Sequence, residues 1–322
     1  MSLPIVNVVV LGGTITMAPG AAGITPTLTG EDLLAGVPAL RDVARLVVRT
    51  PFLKPGASLR LQEVASLAGE LSADGQAAGS VVVQGTDTID ETSFLLDLLY
   101  EGQAPLVVTG AMRGAAAPGA DGPANLLAAV IAACSPALRG QGVTVVLNDE
   151  IHHAVSVEKM HKTLPDAFCS PNGGPLGLII EGRARLLRQM PAHRAHLPPP
   201  SRFGKVAMVK LGLDDHADLL AALPGLGYEG AVIEAMGVGH VPGHLVAALE
   251  ALAARMPVLL ASRVIGGRIL HNTYGFPGSE MDLIARGLIP AGWLSPHKAR
   301  LLLAVALGAG LSPDAIRALL SI

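Results

Sequence analysis

The chain has 322 residues, of which half are hydrophobic, 15% are charged and 3% are aromatic. This composition is ample for a large aliphatic core and argues against intrinsic disorder. The net charge of −3, without a stripe of lysine and arginine, argues against nucleic acid as a partner. No apolar stretch reaches about 18 residues without Gly, Pro or a charge, so we predict no membrane span.

Short β-branched segments alternate along the chain with longer segments rich in alanine and leucine. Continuous apolar strands that alternate with helices form parallel sheets covered on both faces. We therefore predict an α/β fold, with a parallel-type sheet flanked by helices in a larger N-terminal domain and a smaller α/β C-terminal domain. In chain order, the predicted elements are strand Val6–Leu11, helix Gly30–Gly36, strand Arg45–Arg49, helix Leu61–Leu71, strand Ser80–Gln84, helix Ile89–Leu99, strand Pro105–Thr109, helix Pro123–Cys134, strand Thr144–Asn148, strand Lys205–Lys210, strand Ala231–Glu234 and helix His244–Arg255.

A break in composition separates the two predicted domains. The segment 190–203 reads MPAHRAHLPPPSRF, and three consecutive prolines do not fit inside a helix or a central strand. We predict an N-terminal domain at 1–190, a proline-rich linker at 191–204 and a C-terminal domain at 205–322.

Two polar segments follow predicted strands, where ligands collect in parallel sheets. The first strand ends in Gly12, Gly13 and Thr14, followed by a loop rich in Gly, Ala and Pro. Alone this turn is weak evidence of a site, although its glycines permit close approach of a ligand. The segment 84–92, QGTDTIDET, opens a helix. One capping residue would suffice at a helix start, whereas this segment has six hydroxyl or carboxyl side chains. The backbone amides of the helix start are also suited to stabilise a developing oxyanion.

A third segment ends in Lys159. A partly desolvated lysine beside a carboxylate and a hydroxyl serves as a proton acceptor, although a lone lysine is more often a surface charge. The nearby His152, His153 and His161 do not match a zinc signature, and we expect no metal and no cofactor.

Several motifs occur in order along the whole chain. They are LGGTI at 11–15, GTDTIDET at 85–92, GAMR at 110–113, ADGPANL at 120–126, NDE at 148–150, GPLG at 174–177, GVG at 237–239, SRV at 262–264 and KARLLLAVAL at 298–307. Together they resemble the bacterial L-asparaginase/glutaminase family. That family has a two-domain α/β fold, in agreement with the periodicity.

The resemblance implies a role for individual residues. Thr14 corresponds to the primary nucleophile, which forms an acyl-enzyme with the substrate carboxamide. Thr86, Asp87 and Lys159 correspond to an activating set that helps to deprotonate the nucleophile or the hydrolytic water. The resemblance also implies a substrate-binding set, in which Asp87 grips the α-amino group, Ser58 touches the α-carboxylate and Ala111 lies beside the amide to be cleaved. The set is Ser58, Leu59, Gly85, Thr86, Asp87 and Ala111.

The chain departs from the family pattern in several places. Leu59 stands where the well-studied periplasmic enzymes have a glutamine, and the loop 16–29 lacks the usual tyrosine. Asp74 and Gly102 replace the paired cysteines of the periplasmic type, and no signal peptide is visible, so we expect a cytoplasmic enzyme. Glu280 is a candidate for the acidic residue that some members lend to a neighbouring subunit.

The leading hypothesis is therefore an L-asparagine amidohydrolase that acts as a homo-oligomer, with a dimer of dimers implied by the family. Another small amide is the alternative substrate: glutamine, D-asparagine or an N-substituted asparagine. The family's tRNA-dependent amidotransferase subunit has an extra N-terminal domain, which makes that hypothesis less favoured. The alternative from a different class is an asparagine-binding sensor without turnover, although a sensor needs no activating set.

Overall fold

A computed structural model describes residues 2–20, 23–190 and 196–320, with the backbone alone at 18–20 and 23–26. The chain divides into two compact units, Met1–His196 and Leu197–Ile322. Residues 191–195 of the predicted linker, and residues 21–22 of the loop after Thr14, lie outside the described residues. Within the described parts, none of the helices combines the length and apolar character needed to span a bilayer.

The first unit contains most of the strands and five α-helices among its described residues. Its strands are β1 (Ile5–Val10), β2 (Met17–Gly20), β3 (Gly23–Pro26), β4 (Arg45–Arg49), β5 (Gly79–Val83), β6 (Leu106–Thr109), β7 (Val143–Leu147), β8 (Glu150–His153), β9 (Glu158–Lys159), β10 (Phe168–Cys169), β11 (Gly177–Ile180) and β12 (Arg183–Leu186). Its helices are α1 (Gly30–Ala35), α2 (Leu40–Val43), α3 (Leu61–Ala73), α4 (Ile89–Leu99) and α5 (Gly122–Ala133).

The main sheet of this unit has eight strands in the order β12-β11-β8-β7-β6-β5-β1-β4. Strands β4, β1, β5, β6 and β7 are parallel. Strands β8, β11 and β12 extend the sheet in antiparallel pairs. Two small antiparallel ribbons, β2–β3 and β9–β10, lie outside this sheet.

Valine-rich runs form the inner parallel strands β5, β6 and β7 and the end of β1, which are buried on both faces. Val8 and Val10 belong to a core cluster that also holds Val81 and Ala129 of α5. The alternate residue Val9 points to the opposite face and is equally buried. Helix α4 packs against β6 and β7. Continuous burial therefore explains why these strands read as apolar runs instead of alternating patterns.

The strand order creates a crevice at the end of β1. From β1 the chain crosses to β4 on one side, and it then returns to β5 on the other side of β1. The loops that leave β1 and β5 thus run in opposite directions, which is the topological switch point where open α/β sheets bind ligands.

The second unit is a smaller parallel sheet with helices. Its elements are β13 (Val206–Lys210), α6 (Asp218–Ala222), β14 (Gly230–Ala235), α7 (Val246–Ala253), β15 (Val258–Ser262), α8 (Glu280–Ala285), β16 (Ile289–Pro290), α9 (Pro296–Gly308) and α10 (Pro313–Leu320). The sheet has the order β13-β14-β15-β16 and every pair is parallel. Helix α9 packs against β13, β14 and β15, whereas residues of α6, α7 and α8 share a core cluster with the sheet.

The predicted fold class is confirmed, and the structure corrects several elements. The predicted strand Ser80–Gln84 lies one residue earlier as β5. The predicted helix His244–Arg255 is shortened to α7, since a 3-10 turn at Gly243–Leu245 precedes it. The antiparallel strands β8, β11 and β12 were not predicted, because short segments such as EIHH and RARL lack an apolar run.

Candidate active site

The loop after β1 presents Thr14 through two glycines with left-handed backbone. The φ angles of Gly12 and Gly13 are 113° and 91°, values that residues other than glycine rarely adopt. A 3-10 turn then begins at Thr14, whose side chain is half-buried. The hydroxyl of Thr16 donates a 2.8 Å hydrogen bond to the carbonyl of Gly13 and closes the turn. The local sequence thus fixes Thr14 at the switch point.

The loop after β5 presents Thr86 and Asp87 at the start of α4. Thr86 is buried, whereas the Asp87 side chain is 67% exposed. Both lie in a 3-10 turn, Thr86–Thr88, that continues into α4. The side-chain amide of Gln84 donates to the Thr92 hydroxyl at 3.2 Å and helps to hold this turn. One buried hydroxyl and one accessible carboxylate are therefore adjacent on a rigid element.

Three glycines bring the loops after β1, β4 and β5 into contact. A Cβ atom added to Gly13 would lie 2.1 Å from the Cα atom and from the amide nitrogen of Gly85. A Cβ atom added to Gly56 would lie 2.8 Å from the carbonyl oxygen of Gly85. Because these glycines precede Thr14, Ser58 and Thr86 by one or two residues, their close packing places the three hydroxyl residues on neighbouring turns.

Lys159 joins this cluster from strand β9. Its ammonium nitrogen lies 2.9 Å from Thr86 Oγ1 and 3.2 Å from Asp87 Oδ1. Its side chain is only 17% exposed, so the interaction is partly shielded from water. Beside it, a cavity of about 360 Å³ is lined by Asp87, Lys159, Met160, His161 and Lys162. An amine held between a hydroxyl and a carboxylate is suited to move a proton.

The backbone of Lys159 has a partner that the sequence did not reveal. Its amide donates a 3.2 Å hydrogen bond to the Asp90 carboxylate, and Asp90 is buried in the first turn of α4. Asp90 belongs to the GTDTIDET motif, but a carboxylate at a helix start is expected there as a cap. Only the tertiary contact reveals its relation to Lys159.

The remaining predicted site residues lie on the surrounding turns. Ser58 is exposed and Leu59 is half-buried after a 3-10 turn that follows β4. Ala111 is buried in the loop after β6. The Asp121 carboxylate accepts the amides of Met112 and Arg113 at 2.9 and 2.8 Å, which anchors that loop to the start of α5. This contact explains why the GAMR and ADGPANL motifs occur together.

The structure separates the three histidines that a metal site would have to bring together. His152 and His153 are consecutive in β8, so their side chains point to opposite faces. His152 Nδ1 lies 2.9 Å from the Ser170 hydroxyl, and burial, with a smaller contribution from Arg188, lowers the pKa of His152 to about 4. His161 lies on the exposed turn after β9 and accepts two backbone amides.

The family descriptions match both units of the chain. "Asparaginase, N-terminal" matches residues 5–192, and "Glutaminase/Asparaginase C-terminal domain" matches residues 205–320. The chain belongs to the asparaginase family. Together the two matches include every residue of the cluster around Thr14, Thr86 and Lys159.

Members of the asparaginase family with several names are similar over nearly the full length. A "Probable L-asparaginase" of Deinococcus radiodurans is 35% identical over 98% of this chain and 97% of its own. A "Glutaminase-asparaginase" of Pseudomonas aeruginosa is 33% identical over 94% of this chain and 86% of its own. A "Probable L-asparaginase periplasmic" of Haemophilus influenzae is 32% identical over 98% and 92%, respectively.

Glu280, the candidate for a residue lent to a neighbouring asparaginase subunit, is turned inward in this chain. It is buried at the start of α8. One carboxylate oxygen accepts the amides of Thr273 and Tyr274 at 3.0 and 2.8 Å, and the other lies 3.3 Å from His240 Nε2. Although burial opposes it, these hydrogen bonds hold the pKa of Glu280 below its ordinary value. The Glu280 carboxylate thus forms these contacts within its own unit.

Proposed function

We propose that this protein is an L-asparagine amidohydrolase that converts L-asparagine and water to L-aspartate and ammonia through a threonine acyl-enzyme. The observation that carries the proposal is the position of the Lys159 ammonium nitrogen, 2.9 Å from Thr86 Oγ1 and 3.2 Å from Asp87 Oδ1. The contact between Gly13 and Gly85 brings the turn of Thr14 next to that set.

In the first half of the reaction, Thr14 Oγ1 attacks the carbonyl carbon of the side-chain carboxamide. The hydroxyl proton passes to the activating set, in which Lys159 acts as the acceptor, directly or through the Thr86 hydroxyl. The same proton then goes to the leaving nitrogen, so that ammonia departs and an ester on Thr14 remains. An unassisted threonine hydroxyl is too weak an acid for this step, which is why a neighbouring base is needed.

In the second half, water attacks the ester carbonyl carbon. The set accepts a proton from the water and returns it to Thr14 Oγ1 as the ester bond breaks. L-Aspartate leaves and the free threonine hydroxyl is restored. Splitting one amide hydrolysis into two easier steps is the advantage of covalent catalysis.

Substrate binding in this proposal uses the turns around the crevice. The exposed Asp87 carboxylate binds the α-ammonium group of the substrate, and Ser58 binds its α-carboxylate. Ala111 and Gly85 supply backbone groups beside the reacting amide, and Leu59 lines the pocket. The exposure of Asp87 and Ser58 supports this assignment, because both groups are accessible to a ligand.

Another small amide is the second candidate substrate. Leu59 follows Ser58 and offers no polar contact to the substrate, so fewer charge-assisted hydrogen bonds hold free L-asparagine. A relative named glutaminase-asparaginase is consistent with a broader amide specificity in the family. L-Glutamine, D-asparagine and N-substituted asparagines are therefore part of the test.

We also propose that the enzyme is a cytoplasmic homotetramer built as a dimer of dimers, with residues 1–190 forming the catalytic domain. The two cysteines are unpaired, which agrees with a reducing compartment. The mass of the purified protein in solution, from light scattering, tests the tetramer. Fractionation of the producing cell tests the location.

The experiment that tests the activity is ammonia release from each of these amides by the wild type and by Thr14→Ala. Thr27→Ala is the matched control, since Thr27 is an exposed threonine near the same loop. We expect turnover of L-asparagine that is lost in Thr14→Ala and kept in Thr27→Ala. Turnover of a different amide alone would keep the mechanism and change the assigned substrate to that amide. Binding of L-asparagine without turnover of any amide would favour a sensor and reject the hydrolase.

A further inference from the structure

We infer that Asp90 is a positioning residue for Lys159, fixing the backbone from which its ammonium group reaches Thr86 and Asp87. This inference rests on the proposed function of that set. Asp90 itself does not need to touch the substrate. Its effect comes from the hydrogen bond that its carboxylate accepts from the Lys159 amide at 3.2 Å.

The strand that carries Lys159 is too short to be rigid by itself. Strand β9 has two residues, Glu158 and Lys159, and its strand pairing within the described part of the chain is with the two residues of β10. Next to this pairing, the Met160 amide donates to the carbonyl of Ala167 at 2.7 Å. Asp90 adds a contact to α4, which is a long helix of the main unit. A short ribbon is thereby fixed to a rigid element.

The position of Asp90 on that helix makes the contact specific. Asp90 follows Thr86 and Asp87 by four and three residues, so one helix start supplies the acceptors for both ends of Lys159. Thr86 and Asp87 hold its ammonium group, and Asp90 holds its amide. A lysine side chain has four flexible bonds and loses rotamer entropy when it is ordered. Fixing both ends of the residue selects the few conformations in which the amine reaches Thr86.

The acceptor oxygen, more than the charge, is the feature that this arrangement requires. Asp90 is buried, and one of its carboxylate oxygens lies within 4.8 Å of a carboxylate oxygen of Glu158. An asparagine at position 90 has nearly the same shape and keeps one carbonyl oxygen to accept the Lys159 amide. We therefore expect Asp90→Asn to keep the function that Asp90→Ala loses.

Helix α4 offers a matched control in Asp97. It is also a buried carboxylate of α4, and it accepts the amide of Val143 at 2.8 Å, at the beginning of β7 and away from the Thr14 turn. Asp97→Ala therefore removes the same type of hydrogen bond without releasing Lys159. Both alanine variants are compared at a temperature at which circular dichroism shows them folded.

The first measurement is the kinetics of ammonia release by the four proteins. Because a misplacement of about 1 Å costs up to about a hundredfold in rate, we expect Asp90→Ala to lower kcat about tenfold to a hundredfold. KM should change less than about threefold, since the groups that bind substrate are untouched. Asp90→Asn should recover a third or more of the wild-type kcat, and Asp97→Ala should keep it. An equal loss in both alanine variants, or no recovery in Asp90→Asn, overturns the inference.

The second measurement separates this inference from the proposed function. Amide hydrogen exchange at Lys159 does not depend on any substrate. We expect Asp90→Ala to accelerate it about tenfold or more, because the hydrogen bond to a charged acceptor is lost. Asp97→Ala should leave it unchanged. Unchanged exchange in Asp90→Ala overturns the positioning role even if the wild type hydrolyses asparagine. Accelerated exchange in an enzyme without amidase activity would reject only the proposed function.

Discussion

Gly13 packs against the backbone of Gly85 at the switch point of the main sheet, with no room for a side chain between them. A methyl group on Gly13 would lie 2.1 Å from the Cα atom and the amide nitrogen of Gly85. The φ angle of Gly13, 91°, is also one that other residues rarely adopt. This contact is what brings the turns of Thr14 and Thr86 together.

Gly13→Ala is therefore expected to impair both stability and activity. The Gly85 backbone must move to admit the methyl group, and such overpacking costs about 1–3 kcal/mol of unfolding free energy. The accompanying shift of Thr14 should lower kcat by up to about a hundredfold. Urea unfolding and ammonia release measure the two effects.

The control for this substitution is Gly69→Ala. Gly69 is exposed inside α3, and nothing lies within 4 Å of the Cβ atom that alanine adds. Because alanine is a better helix former than glycine, the unfolding free energy of that variant should rise by about 1 kcal/mol, and it should keep full activity. A Gly13→Ala enzyme as active and stable as Gly69→Ala would contradict the proposed packing role.

Lys159→Met is expected to lower kcat by about a hundredfold to ten-thousandfold, which is the usual contribution of a positioned acid or base. Methionine keeps the length of the lysine stem but has no amine to exchange a proton with Thr86. Lys162→Met removes an exposed positive charge beside the same cavity and serves as the control. Equal activities of the two variants, measured by steady-state ammonia release, would remove Lys159 from the mechanism.

Because His152 is buried, we expect the stability of the protein to fall as the pH is lowered. Its folded pKa of about 4 lies below the ordinary value of 6.5, mainly because burial disfavours the charged ring. Between these values the unfolded chain binds more protons, so stability falls as pH decreases from about 6.5 to about 4. The shift in pKa corresponds to a loss of unfolding free energy from this group of roughly 3 kcal/mol at most.

The variant His152→Asn tests this pH dependence, because the amide retains a partner for the Ser170 hydroxyl but does not titrate. The Glu150 carboxylate lies 3.1 Å from His152 Nε2 without a hydrogen bond, and burial raises the pKa of Glu150. Unfolding free energies of both proteins at pH 4 to 7 should show a steeper decline for the wild type. Parallel curves would exclude His152 as the cause.

Leu59→Gln is expected to lower KM for L-asparagine about tenfold without a large change in kcat. An added hydrogen bond to a charged group of the substrate contributes about 1.5 kcal/mol, which corresponds to that factor. Leu187→Gln, at an exposed leucine after β12, is the control for a general surface effect. An unchanged KM in Leu59→Gln would mean that position 59 does not face the substrate's polar end.

The sequence alone predicts the elements whose local signals are strong. Helix Ile89–Leu99 and strand Arg45–Arg49 have the predicted bounds. The valine runs of β1 and β5 are predicted because strands buried on both faces need apolar residues on both. The short β9 and β10, with two residues each, have no such signal and were not predicted.

The sequence by itself determined the α/β fold class, the parallel strands, the family resemblance and the positions of Thr14 and Thr86 at strand ends, because each depends on residues close together in the chain. The tertiary structure decided which of these residues meet. Lys159 is 73 residues from Thr86 and 69 from Asp90 along the chain. Local periodicity carries no information about such distant pairs. They form because β9 packs against the start of α4, where the buried Asp90 carboxylate accepts the Lys159 amide.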